Sequence, residues 1–146
     1  LIGGSIVRSR EASGPTRSVV LIQILAGEKL VSFCTGTLIS RNVILTAGHC
    51  FDWTQIYGAD RFNVIFEHFG KEGKVYTALR GKAHRVHPQH QPFGKNVARM
   101  RYDLAIAVFE GSHPPEFHPA PLDTDTRASY ASRDIRVYGY GRSEDY

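Results

Sequence analysis

Phe33-Cys34-Thr35-Gly36-Thr37-Leu38-Ile39 and Val43-Ile44-Leu45-Thr46 flank the polar turn Ser40-Arg41-Asn42, and Ala47-Gly48-His49-Cys50 follows at once. Two short runs rich in apolar and β-branched residues, split by a turn, read as two strands. The same reading extends outward from this block. Upstream, Val19 to Leu25 is apolar except at Gln23, which suits a strand buried on both sides. Downstream, Phe62, Val64 and Phe66 alternate with Asn63, Ile65 and Glu67, the pattern of a half-buried strand. Gly70 to Gly73 breaks the pattern as a hairpin would, and Val75 to Leu79 resumes it. A further extended stretch ends with Val86 at His87-Pro88, where proline disfavours helix in the residue before it. Gln89 to Arg99 is polar, with Pro92 and Gly94, and reads as a long surface loop.

In Leu104 to Phe109 large residues alternate with Ala105 and Ala107. Alanine would allow a helix, but the run is short and Gly111, Pro114 and Pro115 follow, which favours a strand. Pro114 to Pro121 is a proline-rich connector, and Ile135 to Gly141 begins another strand. The fold class expected is therefore all-β, a barrel or sandwich followed by a connector.

Composition narrows the function classes. The 146 residues are 42% hydrophobic and 22% charged, the profile of a folded domain and not of a disordered chain. The longest apolar run has six residues, too few to cross a bilayer as a helix, so no membrane partner is expected. No basic start leads into an apolar stretch, so an export signal is absent or already removed. Lys and Arg outnumber Asp and Glu by 18 to 14, too mild an excess to imply nucleic acid. The two cysteines, Cys34 and Cys50, are open to two readings, a disulfide or two free thiols. A bridge across that loop would be worth roughly 3 kcal/mol and would point to an oxidising compartment, extracellular or periplasmic.

Two residues stand out chemically. His49 closes an apolar strand beside a cysteine, so the scaffold would pin its ring as a general base requires. Asp103 stands between Tyr102 and the apolar run, where a carboxylate entering a core needs a partner such as a histidine N–H. On spacing alone, each also has a plain structural reading: a strand-end histidine and a turn-capping aspartate.

Four blocks in order carry a resemblance: Leu1-Ile2-Gly3-Gly4, Phe33 to Cys50, Tyr102-Asp103-Leu104-Ala105-Ile106, and Val137-Tyr138-Gly139-Tyr140-Gly141. Together they resemble the first half of the trypsin/chymotrypsin-like serine protease family. The resemblance implies the first six-stranded antiparallel barrel of a two-barrel fold in residues 1–115. A connector would follow in 116–134, and the opening of the second barrel in 135–146, ending in an exposed, cleavage-prone loop. It implies that His49 is the general base and Asp103 its orienting carboxylate, with Cys34 paired to Cys50. Leu1 would supply the α-ammonium that folds into the partner barrel on activation.

The family's Gly-Asp-Ser-Gly-Gly context is absent from these residues, so a nucleophile would have to come from elsewhere. Arg142 to Tyr146 falls where the family carries its self-cleaved loop, which implies an N-terminal chain held non-covalently to a C-terminal chain bearing the serine. Protein or peptide substrates, and a protein inhibitor, are the partners such a site implies. The competing function is a non-catalytic homologue that binds or regulates.

No cofactor is expected. Glu67 and Glu72 lie where some members of the family bind calcium, but Lys71 stands between them. His84, His87 and His90 recur every third residue without sharing a strand face, a weak metal pattern. Arg80, Lys82, Arg85, Lys95, Arg99 and Arg101 occur with no acidic residue among them, either a solvated face or an exosite for an acidic segment or sulfated glycan.

Overall fold

The structure is a computed structural model that describes residues 14–70, 73–92, 101–127 and 129–141. Leu1 to Gly4, Lys71, Glu72, Lys95, Arg99 and Arg142 to Tyr146 lie outside the described residues. Among the described residues, six strands form the fold: β1 (Val19–Ala26), β2 (Lys29–Ser40), β3 (Val43–Thr46), β4 (Arg61–Gly70), β5 (Gly73–Val86) and β6 (Ala105–Phe109). All pairings are antiparallel, and the order β1-β2-β3-β6-β5-β4 closes on itself as a barrel. A 3-10 turn (Gly48–Phe51) and a single helical turn, α1 (Trp53–Ile56), bridge β3 to β4. No helix among the described residues is long and apolar enough to cross a membrane.

The strands follow side-chain chemistry. β1 buries Val20, Ile22 and Ile24 inside the barrel, while Val19, Leu21 and Gln23 are only half-buried. That corrects the expectation of a strand buried on both faces: inside a barrel only one face of each strand meets the core. The β1–β2 connection is a two-residue turn between Ala26 and Lys29, with Gly27 at φ +59, a conformation glycine adopts without steric cost. The Gly27 N–H donates to Asp60 Oδ1 at 3.1 Å, tying this turn to the entry of β4.

The interior is filled by aromatic rings meeting edge to face. Phe66 packs against Phe109 at 5.4 Å and Phe117 at 4.9 Å, and Phe51 against Phe62 at 5.4 Å. Such pairs add about 0.5–1.5 kcal/mol beyond the area they bury. Phe117 belongs to the stretch expected to be connector, yet it is fully buried. The connector is also strapped down by Ala120 N–H donating to the Leu38 carbonyl, and by Ser18 Oγ donating to the His118 carbonyl. In β6 the inward residues are Ala105, Ala107 and Phe109, leaving Ile106 exposed outside.

Two more expectations change. Val75–Leu79 and the stretch to Val86 are one continuous strand, because β4 pairs along its first part and β6 along its second. Ile135 to Gly141 forms no ladder among the described residues. A closed barrel has no free edge to offer it.

Candidate active site

Register brings the site together. Thr46, the last residue of β3, pairs with Ala105, the first of β6, and Ala105 also pairs with Val86, the last of β5. The exits of β3 and β5 and the entry to β6 therefore meet at one end of the barrel. His49 lies just past β3, His90 just past β5 and Asp103 just before β6.

On the β3 side, Thr46 Oγ1 donates to the Thr35 carbonyl at 2.8 Å, and the chain leaves the strand through extended Ala47 into the 3-10 turn. Cys34 of β2 and Cys50 of this turn form a disulfide with Cα atoms 6.1 Å apart. The bridge locks the residue after His49 to a barrel strand. On the β6 side, Tyr102 holds φ +59, uncommon for a bulky residue, with its ring stacked 4.8 Å from His87. Leu104 N–H donates to the Tyr102 carbonyl at 2.8 Å, so the chain turns tightly around Asp103 and presents its carboxylate.

The two groups meet. His49 Nδ1 donates to Asp103 Oδ2 at 2.7 Å, and the His49 backbone N–H donates to Asp103 Oδ1, also at 2.7 Å. An ionised carboxylate can only accept, so Nδ1 carries the proton and the neutral ring keeps Nε2 as its basic nitrogen. The side chains are 34% and 22% exposed, open enough at the rim for a reactant to approach. Burial alone would raise the Asp103 carboxyl, but the ring and backbone hydrogen bonds from His49, with the nearby imidazoles of His49 and His90, hold it below the usual carboxylate range.

The other candidate residues that the structure describes meet partners of their own. The ligand atoms of Cys34, His49 and Cys50 lie within 4.8 Å of one another, but the disulfide uses both thiolates that a metal would need. Glu67 pairs with Lys74 across the β4–β5 hairpin at 3.2 Å. The three histidines turn to different neighbours. His84 stacks on Phe51 at 4.1 Å and is pushed by burial below the usual imidazole range, His87 stacks on Tyr102, and His90 meets Asp52. The His90 contact corrects the reading of Gln89 to Arg99 as surface loop throughout, because the His90 side chain is buried. Sequence reading gave Asp52 no role at all. Its only signal was a carboxylate three residues after His49, with nothing local to link it to position 90.

A closed antiparallel barrel with a histidine–carboxylate pair on its rim defines the class, and comparison with known proteins agrees. The family model described as Trypsin matches residues 6–146. Chymotrypsin-like elastase family member 1 of Canis lupus familiaris is 32% identical over 108 residues, covering 73% of this chain and 37% of that protein. A solved structure titled "Structure of GrC" superposes with a TM-score of 0.62 at 16% identity, over 88% of this chain and 52% of that one. The chain belongs to the trypsin family of serine proteases. It spans little more than a third of the elastase relative and about half of the structural neighbour.

Proposed function

We propose that this chain is the histidine- and aspartate-bearing half of a secreted serine endopeptidase, completed by a C-terminal half that carries the serine. The observation that carries this reading is the doubly hydrogen-bonded His49–Asp103 pair at 2.7 Å. In the reaction the serine Oγ attacks the carbonyl of the scissile peptide bond while His49 Nε2 takes its proton. The tetrahedral intermediate then collapses, and the same nitrogen delivers that proton to the departing amine. Asp103, accepting from Nδ1, holds the ring in this tautomer and stabilises the imidazolium between the two transfers. Leu1 would act once its α-ammonium is freed, by pairing with a carboxylate of the C-terminal half. The disulfide supports an oxidising compartment.

The test is labelling with a fluorophosphonate that reacts only with an activated serine. The assembled enzyme takes up the label on its C-terminal half, and His49→Ala reduces the labelling rate by roughly four orders of magnitude. Separation under denaturing conditions shows whether the labelled half is a distinct chain. Unchanged labelling in the variant refutes the role of His49; no labelling of the native assembly makes the protein a non-catalytic homologue.

A further inference from the structure

A second imidazole stands behind the first. The His90 ring is 3% exposed and sits between two carboxylates. Its Nε2 is 3.1 and 3.2 Å from the two oxygens of Asp52, itself only 5% exposed. On the other side Nδ1 lies 3.7 Å from Asp103 Oδ1 and makes no hydrogen bond among the described residues. The seat is closed by the turn that carries His49: a Cβ on Gly48 would come within 3.0 Å of the His90 ring and of Val86. His90 thus packs against the backbone next to His49 while facing the carboxylate that His49 uses.

Counting hydrogens distinguishes two forms of the ring. A neutral imidazole has one N–H and one lone pair, so between two carboxylates it turns the lone pair toward one of them. The imidazolium presents an N–H to each. The charged groups that face it among the described residues are Asp52, from the end of the 3-10 turn, and Asp103, from the approach to β6, with His49 beyond Asp103. The chain of groups runs Asp52, His90, Asp103, His49.

We propose that His90 is a positioning residue of the proteolytic site: held by Asp52 and packed beside Asp103, its imidazolium form keeps the Asp103 carboxylate against His49 and sets the charge that His49 feels. This rests on the reading of His49 and Asp103 as the catalytic pair. Its consequence is a definite sign. Removing a cation next to Asp103 leaves the pair in a more negative surrounding, so protonated His49 is held more tightly. The unprotonated base then appears only at higher pH.

The experiment uses the enzyme assembled with its serine-bearing half. His90→Phe keeps the ring's bulk and removes both N–H groups, but leaves the buried Asp52 carboxylate without its imidazole, which can prevent folding. The double variant His90→Phe/Asp52→Asn removes that charge as well. For each, kcat and KM on a peptide amide are measured from mildly acidic to mildly alkaline pH, per active site titrated with the fluorophosphonate. We expect kcat to fall roughly ten- to a hundred-fold with KM unchanged, the range that misplacement of a reacting group produces. The acid limb of kcat/KM moves to higher pH in His90→Phe, and in the same direction by less in the double variant, where loss of the more distant Asp52 charge offsets part of the effect. Native kcat per titrated site with an unmoved acid limb overturns the proposal, even if the variants melt earlier, since a purely structural role gives that result. If His49→Ala keeps its labelling, the catalytic reading itself is wrong; if it loses labelling while the double variant behaves as native, only the role of His90 fails.

Discussion

Asp103 is set by a backbone that departs from ordinary geometry. Tyr102 at φ +59 spends steric energy to turn the chain, and the stacked His87 ring and the Leu104 N–H bond hold that turn closed. The result is a carboxylate that stays charged in a partly buried place. Because its folded-state value lies below that of the unfolded chain, its bonds to His49 add stability above about pH 4. That contribution is lost as pH falls through the depressed folded-state value. A 13C titration of the Asp103 side chain should therefore give a midpoint below the ordinary carboxylate range, and a midpoint within or above it would contradict the hydrogen-bond account. His49 and Asp103 were legible because each lies in a distinctive local string. His90 was not, because its string is polar like any loop and both carboxylates that bury it are distant in sequence.

Among the elements, β5 shows how pairing overrides local pattern. Arg80-Gly81-Lys82 interrupts its apolar alternation, which is why the sequence reads as two pieces, yet β4 and β6 carry it through. Gly81 has its own cause. A Cβ there would lie 2.3 Å from the Phe62 ring, so the absent side chain makes room for a core aromatic. Gly81→Ala should destabilise the barrel by roughly 1–3 kcal/mol through overpacking, read as an earlier denaturant midpoint at unchanged slope. A midpoint equal to that of the native protein would mean that Phe62 can move aside freely. In β6 the alternation was visible, but not that the alanines point inward. The interior is already crowded by Phe66, Phe109 and Phe117, and small residues fit beside them.

At the scale of the molecule, closure and one covalent bond hold the site in place. Closing the sheet brings β3, β5 and β6 to a common end, and the disulfide anchors the His49 turn to β2. Replacing both cysteines by alanine should cost roughly 3 kcal/mol in unfolding free energy, the chain-entropy value for a loop of this length. An unfolding curve that does not shift would show that the barrel alone orders the turn. Periodicity, turn residues and the four motif blocks were enough to establish an all-β chain of this family and to point to His49 and Asp103, because strand patterning and short motifs are properties of neighbouring residues. The inward face of each strand, the continuity of β5, the burial of Phe117 and the line from Asp52 through His90 to Asp103 were decided only when the sheet closed, because each depends on contacts between residues far apart along the chain, whose pairing no local pattern encodes.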